Sequence, residues 1–317
     1  MGIKSRYLRE NVIGDLEKKM VFVGGPRQVG KTIFAQKIIG PIFKSKYFNW
    51  DKISNRQTVL KGEWPTGFDL MILDEFHKHS KWKRWIKGEF DVHKEKLKFL
   101  LTGSARLNVY RRGGDSLQGR YHYYRLHPFS LAETTQILPK ITPNQELPIP
   151  EGFSTTDLDA LFEYGGFPEP LISQDKRTLR RWHIERLERF FKEDIRDLTL
   201  IQDLGNLSLL AELLPERTSS ILSINSLARD LGVNFRTVAK WLTTFEQFYY
   251  CFRVPPYQSK KFASVKKEQK LYLWDWSQIN DPGAKIENLV GSHLLKLCHY
   301  LQDCEGYKTE LFFLRDD

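Results

Sequence analysis

The chain has 317 residues, of which 41% are hydrophobic, and 49 basic against 39 acidic side chains give a formal net charge of +10. This length predicts two or three domains, and the excess of positive charge favours polyanionic partners such as nucleic acid, nucleotide or an acidic membrane surface. The sequence lacks an apolar run of about 18 residues, which argues against a membrane-spanning helix. It also lacks a secretory signal pattern, so we expect a cytoplasmic protein. Three cysteines without a closely spaced pair predict reduced thiols rather than a disulfide framework or a zinc site.

Alternating strand and helix patterns predict that residues 1–150 form an α/β domain. An amphipathic helix is expected within residues 1 to about 20, and another helix begins near Thr32 and ends at Gly40. Five short apolar runs predict strands, at 20–23, 47–50, 69–73, 97–101 and 121–126. Strands that alternate with helices form a parallel sheet covered on both faces.

A phosphate-binding loop is predicted between the first strand and the helix that follows it. The segment matches G-x-x-x-x-G-K-[ST] at every fixed position, in the strand-loop-helix context that this motif requires. Two glycines let the backbone wrap closely, so that its N–H groups and the helix N-terminus point at phosphate oxygens. Lys31 is expected to reach the β- and γ-phosphates, and the Thr32 hydroxyl to bind Mg²⁺. The predicted nucleotide-binding residues are Gly25, Pro26, Arg27, Gln28, Val29, Gly30, Lys31 and Thr32.

Two adjacent carboxylates, Asp74 and Glu75, follow the apolar strand predicted at 69–73. Asp74 then lies at the carboxyl edge of the sheet, where open α/β sheets bind their ligands. We expect Asp74 to hold Mg²⁺, directly or through water, and Glu75 to polarise the water that attacks ATP as a general base.

Two further positions are candidates for catalysis. Thr102 or Ser104, at the end of the fourth strand, could sense the γ-phosphate or orient water, and the alternative is a plain turn. Arg120 or Arg106 could stabilise negative charge in the transition state, and the alternative is a surface arginine.

Three segments are predicted behind this domain, at 151–218, 219–276 and 277–317. After a proline-rich stretch, residues 151–218 have helical periodicity. The mixed charges of residues 176–196 indicate a solvated helix face, and the alternative is a nucleic-acid groove. Residues 219–276 contain a helix, a turn at Gly232 and a second helix, followed by two strands, which predicts a winged-helix domain.

DNA is the expected partner of this winged helix. The second helix would present Arg236 and Lys240 to a major groove. Basic residues between the two strands would contact phosphates, namely Lys260, Lys261, Lys266 and Lys267. The alternative is a winged helix that binds a protein.

Several of these motifs together resemble a large prokaryotic family, the AAA-type (AAA+ P-loop) ATPases that carry an uncharacterised C-terminal domain. The resemblance rests on five segments, namely 25–32, 73–75, 101–104, 114–120 with 126–131, and 165–170. It implies an AAA+-like ATPase core, a winged helix, and a fold similar to restriction-endonuclease-type nucleases. It also implies that Arg120 acts on phosphate, in trans within a homo-oligomer.

The sequence departs from that family over residues 277–317, which predict a truncated, nuclease-like α/β segment. Glu287 matches the first acidic position of the family's nuclease-like fold, and the later acidic positions would lie beyond Asp317. One carboxylate cannot supply the ligand set of a catalytic magnesium ion, so nuclease activity is not expected of these residues.

The function expected from the sequence is a magnesium-dependent ATPase that couples its nucleotide state to a DNA-binding winged helix. The expected ligands are ATP and Mg²⁺. The alternative is a nucleotide-gated protein-interaction switch with slow turnover and no DNA binding.

Overall fold

The computed structural model describes residues 4–103, 117–138, 141–148, 152, 154–195, 203–257 and 269–314, without the side chains of residues 193 and 194. The chain divides into two compact units. The first consists of Met1–His127, Ala132–Phe153 and Tyr300–Tyr307, and the second of Pro128–Leu131, Ser154–His299 and Lys308–Asp317. The division into four domains expected from the sequence stays a prediction.

A five-stranded parallel sheet forms the centre of the first unit. In chain order its strands are β1 Met20–Gly24, β2 Ser45–Asn49, β3 Leu70–Asp74, β4 Lys98–Thr102 and β5 Tyr121–Arg125. Their spatial order is β2-β3-β4-β1-β5, with every neighbouring pair parallel. The inner strands β1 and β3 are buried at every residue, whereas the edge strands β2 and β5 are partly exposed. This matches the apolar runs expected of a sheet covered on both faces, and the predicted α/β fold is confirmed.

Helices pack around this sheet. They are α1 Arg9–Leu16, α2 Lys31–Ile33, α3 Ile53–Lys61, α4 Trp82–His93 and α5 Leu131–Thr135. The helix predicted after the phosphate loop begins as α2, continues as a π-helix over Phe34–Ile39, and ends in a 3₁₀ turn at Gly40–Ile42. Apolar side chains of α4, among them Trp82, Ile86 and Phe90, join the sheet residues in one hydrophobic core.

The second unit begins with the predicted helical region. Its helices are α6 Thr155–Tyr164, α7 Pro168–Ser173, α8 Lys176–Arg189 and α9 Leu204–Leu213, with a π-helix over Phe190–Ile195. A buried polar cluster organises part of this unit. The Asp275 carboxylate accepts hydrogen bonds from the Ser277 hydroxyl at 2.6 Å and from Arg186 at 3.2 Å, and it lies 3.5 Å from His183. These contacts join α8 to the 3₁₀ turn Trp276–Gln278.

A helix-turn-helix and a β-hairpin follow in the second unit. The helices are α10 Ile224–Asp230 and α11 Phe235–Gln247, and the turn between them contains Gly232 with a positive φ of 65°. The Asn234 side chain accepts a hydrogen bond from the N–H of Thr237 at 2.9 Å, an N-cap that starts α11. Strands β6 Cys251–Val254 and β7 Lys270–Leu273 pair antiparallel.

The segment predicted as a truncated α/β tail contains a long helix, α12 Pro282–Asp303, of 22 residues. After α12, Phe313 forms an isolated parallel bridge with Pro256. Glu287 accepts hydrogen bonds from Lys270 at 2.9 Å and from the Tyr272 hydroxyl at 2.8 Å, so its carboxylate is engaged within the unit. Among the helices that the structure describes, none is long and apolar enough to cross a membrane.

Candidate nucleotide-binding site

The loop between β1 and α2 has the backbone geometry of a phosphate cradle. Gly25 has a φ of +144° and Gly30 a φ of +96°, conformations that L side chains rarely adopt. A Cβ atom added to Gly25 would lie 2.4 Å from the carbonyl oxygen of Leu126, which is closer than non-bonded atoms approach. Both glycines of the motif are therefore required by the fold of the loop itself.

Lys31 is held inside this loop. Its ammonium group donates hydrogen bonds to the carbonyl oxygens of Gly25 at 3.0 Å and Pro26 at 2.7 Å, and its residue is 7% exposed. A buried ammonium group needs such partners because desolvation disfavours its charge. Phosphate oxygens are stronger partners for this cation than neutral carbonyl oxygens. The loop therefore presents a cation that can turn from its own backbone to a bound phosphate.

Three hydroxyl groups converge on the carboxylate of Asp74, which is 5% exposed. Thr32 and Tyr47 each donate to Oδ2 at 2.8 Å, and Thr102 donates to Oδ1. The register of the sheet brings Thr102 to this carboxylate, because Asp74 on β3 lies directly opposite Thr102 on β4. The carboxylate is thus held in one orientation by donors from three different segments.

The residues at this position fit a magnesium ion. Thr32 and Asp74 place two hard oxygen ligands side by side. Proteins commonly bind Mg²⁺ through one or two side chains together with waters and substrate phosphates. Within the parts of the chain that the structure describes, no group of three or more His, Cys, Asp or Glu side chains is arranged to hold a metal ion alone. A magnesium ion held by Thr32 and Asp74 would take its remaining ligands from water and from a phosphate.

Glu75 follows Asp74 in an unusual backbone conformation, with a φ of +56°. Its N–H donates to the carbonyl oxygen of Thr102 at 3.0 Å, which anchors the residue to β4. One carboxylate oxygen is buried without a hydrogen-bond donor, at 3.6 Å from His77 and 3.8 Å from Lys78. Burial raises the pKa of Glu75 above its ordinary value, an effect that the nearby Lys31 charge partly offsets. A raised pKa is typical of a carboxylate that accepts a proton during catalysis.

Arg120 lies away from its own phosphate loop. It precedes the first residue of β5, whereas the loop follows the last residue of β1, and the two strands are parallel. A strand of five residues separates the two ends by about 15 Å. The Arg120 guanidinium instead forms two hydrogen bonds with Asp91, at 2.7 and 3.1 Å. Action on this chain's own phosphate is not supported by that placement, and action in trans stays a prediction.

The remaining predicted positions fall in two groups. Arg236 and Lys240 are exposed on α11, one helical turn apart. The other positions lie outside the described residues, namely Ser104, Arg106, Lys260, Lys261, Lys266 and Lys267.

Tyr47 is a member of the site that the sequence analysis missed. Burial and the neighbouring Asp74 carboxylate raise the pKa of the Tyr47 hydroxyl above its ordinary value, so it stays protonated and can donate. The sequence predicts a strand at 47–50 without assigning a role to Tyr47. The pairing of β2 with β3, where Tyr47 lies opposite Ile72 and Asn49 opposite Asp74, appears only in the folded sheet.

Comparison with known proteins agrees with this geometry. Residues 17–135 match the model of the AAA domain family, and residues 155–280 match a domain of unknown function (DUF8612). The first unit thus contains a parallel sheet, and the sequence of residues 17–135 is similar to AAA domains.

Individual relatives are distant. The uncharacterized protein MJ1544 of Methanocaldococcus jannaschii is 21% identical over 303 residues, which cover 87% of this chain and 66% of that protein, so the chain spans just under two thirds of its length. The Walker-type ATPase paby2304 of Pyrococcus abyssi is 13% identical with a TM-score of 0.49, covering 91% of this chain and 96% of that one. The Aeropyrum pernix ORC1 protein, solved in complex with DNA, is 13% identical with a TM-score of 0.37, and the match covers 93% of this chain and 94% of that one.

Proposed function

We propose that this protein binds ATP together with magnesium in the loop between β1 and α2 and hydrolyses it. The observation that carries the proposal is the meeting of the Thr32 hydroxyl and the Asp74 carboxylate, 2.8 Å apart, beside the buried ammonium group of Lys31. A cation, a phosphate cradle and a pair of hard oxygen ligands in one place are the parts that phosphoryl transfer requires.

Each of these residues has a role in the proposed reaction. Lys31 exchanges the carbonyl oxygens of Gly25 and Pro26 for the β- and γ-phosphates and neutralises part of their charge. Asp74, held by Thr102 and Tyr47, keeps its carboxylate turned toward the Thr32 hydroxyl. A bound magnesium ion would supply charge neutralisation on the phosphates.

Glu75 is the proposed general base. Its raised pKa increases its affinity for the proton of the attacking water, and its carboxylate remains ionised above that pKa. Its anchor to the Thr102 carbonyl places it at the same edge of the sheet as Asp74.

Isothermal titration with ATP, with and without magnesium, tests the binding part of the proposal. Lys31→Ala is expected to weaken ATP binding at least about tenfold, as loss of a charge-assisted contact implies. Lys37→Ala is the matched control, since Lys37 is an exposed lysine on the π-helix that follows α2. The proposal is rejected if the wild-type protein releases no heat with ATP and magnesium, or if the two variants bind ATP equally well.

The hydrolysis part is tested by ATP turnover. Glu75→Gln keeps the size of the side chain and removes the base, so turnover is expected to fall about 100-fold or more while ATP binding is retained. Turnover that is unchanged in Glu75→Gln would remove Glu75 from the proposed mechanism and leave the binding proposal intact.

We further propose that the second unit acts as a winged-helix module that binds duplex DNA and responds to nucleotide. What supports this is the helix-turn-helix of α10 and α11, in which Arg236 and Lys240 are exposed on the second helix. An exposed basic helix of that kind suits the major groove, and its arginine can bond guanine.

Salt-dependent binding to duplex DNA tests this second proposal. The double variant Arg236→Gln with Lys240→Gln is expected to weaken DNA binding. The slope of log affinity against log salt concentration should become shallower by about one for each phosphate contact that is lost. Arg177→Gln with Arg180→Gln removes the same charge from exposed positions of α8 and serves as the control. Negligible DNA binding by the wild-type protein at physiological salt would favour the alternative, a nucleotide-gated switch whose second unit binds a protein.

A further inference from the structure

A buried arginine lies behind the phosphate loop. Arg6 is 3% exposed, and its guanidinium donates to the Glu133 carboxylate at 2.7 Å and to the carbonyl oxygen of Val29 at 3.1 Å. A third hydrogen bond joins it to the carbonyl oxygen of His127. One side chain therefore connects the phosphate loop with the segment that follows β5.

Glu133 is the fixed partner of Arg6. It is 0% exposed and also accepts a hydrogen bond from the backbone N–H of Tyr7 at 3.2 Å. Two neighbouring contacts hold the same stretch of chain, because Ser5 donates its N–H to the Gln136 side chain at 2.7 Å and Lys4 bonds the carbonyl oxygen of Thr134. The Arg6 guanidinium therefore has little freedom to move away from the loop.

The contact with Val29 determines the direction of the next N–H group. The peptide between Val29 and Gly30 is trans, so its C=O and N–H point in opposite directions. Because Arg6 holds the Val29 carbonyl, the Gly30 N–H points away from the Arg6 guanidinium. Gly30 has a φ of +96° and no side chain to oppose this orientation. A cation on the carbonyl also polarises the peptide, which strengthens the N–H as a donor.

A buried ion pair has a large desolvation cost, and apolar side chains of similar size are often as stable. A contribution to folding stability is therefore a weak explanation for the presence of Arg6 and Glu133 at these positions. An orientation imposed on the loop is a property that apolar side chains would not supply.

We propose that Arg6, held by Glu133, is a positioning residue that aims the Gly30 N–H at the phosphate groups of a bound nucleotide. The proposal rests on nucleotide binding by this loop. It predicts that changes at Arg6 weaken the binding of every ligand that contains a diphosphate, including pyrophosphate without a nucleoside.

Titration calorimetry with ATP, ADP and pyrophosphate tests this proposal on the whole chain. Arg6→Gln is expected to weaken the binding of all three ligands about tenfold or more, because it removes a charge-assisted contact to the loop. Arg6→Lys restores the charge without the planar fork of donors, and it is expected to recover part of the affinity. Arg9→Gln is the matched control, since Arg9 is a neighbouring arginine whose side chain is 38% exposed and pairs with Glu10.

Thermal unfolding without ligand separates a positioning role from a purely structural one. Equal affinity of folded Arg6→Gln and wild-type protein for pyrophosphate overturns the proposal, whatever the change in melting temperature. If Arg6→Gln does not fold, Glu133→Gln decides, because it keeps an acceptor for Arg6 and removes the charge. A several-fold loss of pyrophosphate affinity in Glu133→Gln supports the proposal, and an unchanged affinity overturns it.

The outcome also distinguishes this inference from the proposed function. Wild-type protein that binds none of the three ligands contradicts nucleotide binding itself. Wild-type binding that depends on Lys31 and not on Arg6 contradicts the positioning role alone.

Discussion

Removal of the Tyr47 hydroxyl is expected to raise the magnesium concentration that ATP hydrolysis requires. Asp74 Oδ2 accepts two hydrogen bonds, from Thr32 and Tyr47, each at 2.8 Å. If the Thr32 hydroxyl binds a metal ion, as proposed, Tyr47 would be the remaining one of these two donors to Oδ2. Tyr47→Phe should therefore leave this oxygen poorly oriented for holding that metal ion.

The size of the effect follows from the type of hydrogen bond that is lost. A hydrogen bond to a charged group contributes roughly 1.5–3 kcal/mol. Tyr47 is only half-buried, so the lower end of that range applies, and about 1.5 kcal/mol corresponds to a change of roughly tenfold. The magnesium concentration that gives half-maximal turnover should rise by about this factor.

The assay is ATP turnover at fixed, saturating ATP over a range of free magnesium concentrations, together with ADP binding in the absence of magnesium. Tyr47→Phe should raise the magnesium requirement and change magnesium-free ADP binding little, because Lys31 and the loop backbone are not altered.

Tyr124→Phe provides a matched control. Its hydroxyl also donates to a carboxylate, that of Asp15 on α1, which is not part of the phosphate site. This variant removes the same kind of contact from the same unit. An identical magnesium dependence in Tyr47→Phe, Tyr124→Phe and wild-type protein would refute the reasoning.

Three further predictions follow from the geometry. Gly25→Ala places a Cβ atom 2.4 Å from the Leu126 carbonyl oxygen at a φ of +144°. Where circular dichroism shows the variant to be folded, calorimetry should find that it no longer binds ATP. Retained ATP binding would contradict the geometry of the loop. Because burial raises the pKa of Glu75, the general base is protonated at a higher pH than an exposed glutamate, and the acid limb of the pH–turnover profile should lie above the ordinary glutamate value and disappear in the residual activity of Glu75→Gln. Burial would raise the pKa of Asp275, but contacts with His183, Arg186 and Ser277 bring it to about 2. The stabilisation that the ionised Asp275 contributes is therefore present above its unfolded pKa of about 4 and is lost as the pH falls toward 2, and it is on the order of 2 kcal/mol. Denaturant unfolding of Asp275→Asn should show a smaller loss of stability over that pH range than the wild-type protein, and an equal loss would contradict the assignment.

The inner strands of the first unit were predictable because each is a short apolar run that ends in a glycine or a polar residue. β1 ends at Gly24 and β3 at Asp74, and both strands are buried along their whole length. Burial on both faces makes such strands continuously hydrophobic, and that signal does not depend on distant contacts. The α/β fold and the position of the phosphate loop were therefore accessible from the sequence.

The helix α12 shows why other elements could not be predicted from the sequence. Ile286, Val290 and Leu294 lie four residues apart and are 57%, 50% and 42% exposed, while Lys285 and Lys296 are each 9% exposed. These two buried lysines and three exposed aliphatic side chains depart from what an amphipathic pattern predicts. Lys296 is satisfied by the Pro128 carbonyl and the Ser130 hydroxyl, at 3.0 and 3.1 Å, partners that no local pattern reveals.

The same distinction applies inside the site. Lys31, Thr32 and Asp74 lie in or directly after short segments with a recognisable pattern, so a motif was sufficient to predict their roles. Tyr47 and Arg6 have proposed roles that depend on holding other groups, and their partners lie 27 and 127 residues away. Contact at that separation depends on strand register and on the return of the chain past the loop. A sequence motif can therefore predict which groups contact a phosphate, whereas the groups proposed to orient them have to be found in the folded structure.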